Sequence, residues 1–167
     1  MNKKEILYQI LAECLCDLED VGIYIDADIK VDVATFKSRN GDVRKLDSHT
    51  YHVRIAEFLI VEDCKYATNC MMHELLHIVA GVGTGHKGKW KTLANKVNNA
   101  FDGKYQIQRC TTYPVERPAV THNKTYVLVC EKCGKKIIRH KMSNFVKNPS
   151  RYRHKSCLGN FKLVASS

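Results

Sequence analysis

His73, Glu74 and His77 carry the clearest chemistry in this sequence. They stand in Met72-His73-Glu74-Leu75-Leu76-His77. Histidines four apart on a helix share a face, one turn from each other, and can grip one ion. With a glutamate after the first, the pattern is H-E-x-x-H, in which two His bind Zn²⁺ and the Glu acts as general base towards water. The stretch Gly81-Val82-Gly83-Thr84-Gly85-His86-Lys87-Gly88 follows. It is too glycine-rich for a helix and flexible enough to fold back and offer His86 as a third ligand. Three protein ligands leave a fourth position open, as a catalytic zinc needs and a structural zinc does not. The plainer alternative is a helix with two incidental histidines and an ordinary loop histidine.

The elements that must position these residues are legible around them. Met72, Leu75, Leu76, Val79 and Ala80 give an apolar helical face. Thr68 or Asn69 is placed to cap the start, and Gly81 to end it. Trp90, Leu93, Ala94, Val97 and Phe101 predict a second helix, closed by Asp102-Gly103, with Trp90 as the core anchor of the His86 loop. Upstream, Ile6, Ile10, Leu11, Leu15 and Leu18 predict a helix over 3–21, with Cys14 and Cys16 buried or half-buried. Residues 23–36 and 50–61 are strand-like, the end of the second open to a helical turn, with a turn at 38–42 between them. His49 and His52, three apart on a strand, face opposite sides and read as structural or surface residues.

A second metal signature lies near the other end. Cys130 and Cys133 form one pair, His154 and Cys157 another, and about twenty residues separate them. Two such pairs describe a closed four-ligand zinc site, here Cys₃His. A module this small has little core of its own, so the ion should supply much of its folding energy. Residues 103–125, with Pro114 and Pro118, read as a connector, and neither Cys110 nor His122 in it is assigned to a metal. The expected organisation is therefore a domain over 1–102, a connector over 103–125 and a ribbon module over 126–167. The fold class is α+β, helices packed on a small sheet.

Charge separates the two ends. Residues 1–102 hold 13 Lys+Arg and 15 Asp+Glu, whereas residues 103–167 hold 14 and 2. A basic excess confined to the ribbon end is the footprint of a polyanion partner, most simply nucleic acid. The candidate contacts are Lys132, Lys135, Lys136, Arg139, Lys141, Arg151, Arg153 and Lys155, able to meet phosphates without reading sequence. Phe145, Tyr152 and Phe161 are interleaved with them and serve either base stacking or a miniature core. No run is long enough to span a membrane and the first residues do not resemble a signal peptide. A reducing cytoplasm is therefore expected, with the eight Cys as thiols or ligands rather than disulfides.

The order of parts resembles the SprT-like family, which includes the Spartan proteases. The resemblance covers nearly the whole chain. It rests on Met72–His77, on His86-Lys87-Gly88-Lys89-Trp90 opening the next helix, and on the C-terminal ribbon. A metzincin would place its third His six residues after the second, whereas here the gap is nine. His154 departs from the Cys read at that place in many family ribbons, though His is a competent ligand. The resemblance implies a zincin-like metalloprotease domain followed by a zinc ribbon. It implies catalytic zinc on His73, His77 and His86 with Glu74 as base. It also implies cleavage of proteins on or near DNA, crosslinked ones included, in the cytoplasm at the nucleoid or in a nucleus. The competing expectation, from the basic ribbon alone, is a zinc-dependent nucleic-acid-binding protein without peptidase activity.

Overall fold

The computed structural model describes residues 2–61, 63–119 and 124–166. His122 lies outside the described residues. The chain is mixed α+β and forms two compact units, Met1–Ala119 and Val120–Ser167.

The first unit opens with α1 (Lys3–Asp20), started by a capping box in which the Asn2 side chain accepts from Glu5 N–H and Glu5 reaches back. Leu7, Ile10, Leu11, Cys14 and Leu18 recur at helical spacing and are buried. Cys16, expected to be at least half-buried, is exposed, because it falls on the opposite face from Cys14 and Leu18. Three strands follow: β1 (Asp28–Ala34), β2 (Gly41–Lys45) and β3 (Thr50–Ala56). Their order is β1-β3-β2, with β1 parallel and β2 antiparallel to β3. The edge strand β2 was not legible in the sequence. Its residues, Gly-Asp-Val-Arg-Lys, offer one large apolar side chain, and charged residues commonly blunt a sheet edge. A single 3₁₀ turn at Glu57–Leu59 is the helical turn expected after β3.

The helix α2 (Lys65–Ala80) packs against α1, β2 and β3, and α3 (Lys89–Ala100) packs against α2. A helix so enclosed is apolar on more than one face, and Cys70, Met71, Met72, Leu75, Leu76 and Ile78 are buried. Neither Thr68 nor Asn69 caps it, contrary to expectation. The helix starts a turn earlier, after Cys64, and both residues lie inside it. The Thr68 hydroxyl donates to the Cys64 carbonyl, and Asn69 is buried for another purpose described below.

No helix or strand forms between α3 and Ala119, yet this stretch is not a free connector. Tyr105, Ile107 and Tyr113 are buried in the same core as α1 and α2. The Tyr105 hydroxyl donates to Asp17 of α1, and Lys104 pairs with Asp17 and Glu13. The segment is a strap drawn across the first unit. Among the described residues, no helix is long and apolar enough to cross a membrane.

The second unit is a small antiparallel sheet, β4 (Tyr126–Cys130), β5 (Lys136–Arg139) and β6 (Phe161–Ser166), in the order β5-β4-β6. A single turn, α4 (Asn144–Lys147), is capped by the Ser143 hydroxyl accepting from Val146 N–H. Among the described residues, Tyr126, Leu128, Cys130, Val146 and Phe161 form its buried core, with Phe145 packed alongside.

Candidate metal centres

In the first unit, α2 carries His73 and His77 one turn apart, and the loop after Gly81 returns His86 to them. His86 Nε2 lies 3.0 Å from His73 Nε2 and 3.1 Å from His77 Nε2. Ligands about 2.0–2.1 Å from a tetrahedral zinc stand roughly 3.3 Å apart, so this spacing suits one ion. Burial, then the charges of the neighbouring histidines, pushes His73 down to about 3. Burial and His86 push His77 down to about 4. Both rings are therefore neutral at pH 7 and present lone pairs, as ligation requires.

Trp90 underlies all three rings. Its centroid is 4.8 Å from His73, 5.4 Å from His77 and 4.6 Å from His86, and the indole is buried. The expected anchor role holds, and it is more direct than expected, because the indole packs on the imidazoles themselves.

Glu74 is buried with only 7% exposure, beside the edge strand. A Cβ at Gly41 would sit 3.2 Å from Glu74 Oε1, 2.9 Å from Cys70 Sγ and 3.0 Å from the Arg54 carbonyl. Glycine at 41 is what lets β2 approach α2 this closely. Burial and the charge of Asp42, opposed by Arg39, raise Glu74 to about 8. A cation on the three histidines would favour its ionised form. Asp42 is itself held by Arg54, with Arg54 Nη2 at 2.6 Å and Nε at 2.8 Å in a bidentate pair.

These groups line a cavity of about 620 Å³, walled by Arg39–Val43, by Val82, Gly83 and Gly85, and by Arg109–Tyr113. The strap was not expected to take part. It lines the cleft through Arg109–Tyr113.

In the second unit, Cys130, Cys133, His154 and Cys157 converge as the spacing predicts. Cys133 Sγ and Cys157 Sγ each lie 3.1 Å from His154 Nδ1, and Cys130 Sγ is 3.5 Å from Cys157 Sγ. The three cysteines are free thiols, and the four ligand atoms lie within 4.8 Å of one another, as do those of the three histidines. Both groups could hold a metal ion, and Cys₃His is a closed donor set suited to zinc. Gly159 is required by packing, since a Cβ there would come within 2.7 Å of Cys130 Sγ and 2.5 Å of Lys132 Cβ.

The eight candidate nucleic-acid contacts, Lys132, Lys135, Lys136, Arg139, Lys141, Arg151, Arg153 and Lys155, are all exposed. Among the described residues none pairs with a carboxylate. Of the interleaved aromatics, Phe161 and Phe145 pack together with centroids 5.1 Å apart, so they build the core, while Tyr152 stays 41% exposed. His49 is exposed and His52 bonds Asp32, so neither joins a metal group. No protein-family model matches the chain, and no curated protein does either.

Proposed function

We propose that this chain is a zinc-dependent endopeptidase of the SprT-like kind, a zincin-like unit followed by a zinc ribbon. Its substrates are proteins held on or crosslinked to DNA, and its basic ribbon contacts the nucleic acid. The observation that carries the reading is the convergence of three histidine Nε2 atoms beside a buried glutamate on one cavity wall. When bound, zinc supplies Lewis acidity and acidifies water. Glu74 takes the proton of the attacking water and returns it to the leaving amine. His73, His77 and His86 stay neutral and hold position on Trp90. Asp42, neutralised by Arg54, leaves Glu74 as the free acid of that cavity wall.

The ribbon reading is supported by eight exposed cations with no carboxylate partner among the described residues, which suits phosphates and not base readout. The test is cleavage of a DNA-binding protein by wild type and Glu74→Gln, with and without single-stranded DNA, on protein of measured zinc content. Two zinc ions and DNA-stimulated cleavage, lost in Glu74→Gln by at least ~100-fold, are expected. Equal rates in the two proteins would sink the mechanism. The second reading is nucleic-acid binding without proteolysis, favoured by a ligand set and charge that the ribbon holds by itself. Two zinc ions and salt-sensitive DNA binding with no cleavage would select it.

A further inference from the structure

Among the described residues, the acids lining the metal cavity are Asp42 and Glu74. Asp42 is taken by Arg54, Arg39 and Arg44, and Glu74 is the proposed base. Arg109 and Arg117 of the strap also line the cavity, and among the described residues neither pairs with a carboxylate. Arg109 is exposed, so water can solvate its charge. Arg117 is half-buried and held on two sides. Its Nη2 donates to Asn40 Oδ1 at 2.7 Å, and its Cζ lies 5.1 Å from the centroid of the Phe58 ring. Asn40 is itself fixed, because its Nδ2 donates to the Thr111 carbonyl at 2.8 Å. Arg117 also lines a second groove of about 600 Å³, together with Phe36, Phe58 and Pro118. One positioned guanidinium thus borders both the metal cavity and this groove.

We propose that Arg117 is a specificity-determining residue of the peptidase, binding a carboxylate of the substrate chain at the border of the metal cavity. This rests on the peptidase reading of that cavity. The carboxylate belongs to an Asp or Glu side chain near the cut, or to the end of the chain. Withdrawing a guanidinium from water without a counter-charge costs free energy, and a bound anion offsets that cost. The planar fork meets a carboxylate through paired N–H donors. Asn40 and Phe58 hold the fork before the substrate arrives, so less freedom is lost on binding. Arg109 adds a second positive charge to the same cavity and favours the same ligand. A peptide suits this place better than a nucleic acid. A run of phosphates here would meet Glu74 on one side of Arg117 and Glu116 on the other, whereas one carboxylate among neutral residues need meet neither.

The test uses the full chain loaded with zinc and an otherwise neutral peptide. A single Glu or Gln is walked along the peptide one position at a time, with its C-terminus free or amidated. Wild type should cleave the best-placed Glu peptide about tenfold better, in kcat/KM, than its Gln counterpart. Fluorescence anisotropy of the same peptides on Glu74→Gln should show the preference without cleavage. Arg117→Gln should erase it, and Arg117→Glu should favour a Lys at that position. A gain from the free C-terminus alone keeps the inference and names the chain end as the source. If Arg117 were merely structural, Arg117→Gln would slow every peptide alike and keep the Glu-to-Gln ratio, which overturns the inference. Wild type indifferent to Glu and to the terminus overturns it whether or not the variants fold. Loss of DNA binding in Arg117→Gln with the ratio intact would assign the guanidinium to phosphate and overturn it too. Zinc-loaded wild type that cleaves none of the peptides overturns the peptidase reading, and the inference with it.

Discussion

The Trp90 indole meets the His86 imidazole edge-on, ring centroids 4.6 Å apart. Trp90 is the one tryptophan of the chain, so its emission reports this site alone. A paramagnetic ion on the histidines should quench most of it. His86→Ala should abolish the quench while the ribbon still takes up metal. Emission indifferent to Co²⁺ would mean that the three rings hold no ion.

Gly41 is the point where the edge strand touches α2. Gly41→Ala drives a methyl against Cys70 Sγ and the Arg54 carbonyl. Overpacking of this kind costs about 1–3 kcal/mol. Glu74 should shift with it, so proteolysis should fall more than metal affinity. Cys70→Ala opens the space the methyl needs, and the double variant should recover part of both losses. Additive losses in the double-mutant cycle would show that the two positions do not press on each other.

Acid should loosen the cleft wall through Asp42. Burial pushes this carboxyl up, but the Arg54 hydrogen bonds and the charges of Arg54, Arg44 and Arg39 outweigh it, and it ends below its ordinary value. A lowered folded pKa gives stability that is present above the unfolded pKa, near 3.9, and lost as pH falls through the folded one. Urea midpoints of wild type should therefore drop between about pH 5 and pH 2 more than those of Asp42→Asn. Parallel curves for the two proteins would remove Asp42 from the account.

The ribbon should depend on its ion far more than the first unit does. Among the described residues five are buried in its core, too few to offset the entropy of ordering it. Chelation should bring fast hydrogen exchange to the amides of Val127–Cys130 while those of Leu75 and Leu76 stay protected. Cys157→Ser should act likewise. Slow exchange across β4 without metal would show that this core suffices.

Ligand residues were legible because ligation constrains side-chain type and spacing together. His73, His77, His86 and the Cys₃His set all converge at the separations read from the sequence. Apolar periodicity placed α1, α2 and α3 for the same reason, since each buries a face. β2 was hidden because an edge strand with charged residues has no alternation to detect. Asn69 was misjudged as a cap because asparagine near a helix start usually bonds the local backbone, and here it bonds a segment 37 residues away. Proline and polarity in 103–119 signalled the lack of helix and strand correctly. They could not signal packing, which came from Tyr105, Ile107 and Tyr113 standing singly rather than in a pattern.

The strap also fixes where the first unit can be cut. A chain shortened after Asp102, at the end of the last long helix, would strip Tyr105, Ile107 and Tyr113 from the core and leave Asp17 and Asn69 facing a trench. One shortened after Ala119 keeps the compact unit whole. A nick between 103 and 119 would thus loosen the cleft wall without touching a single residue of either metal-ligand group.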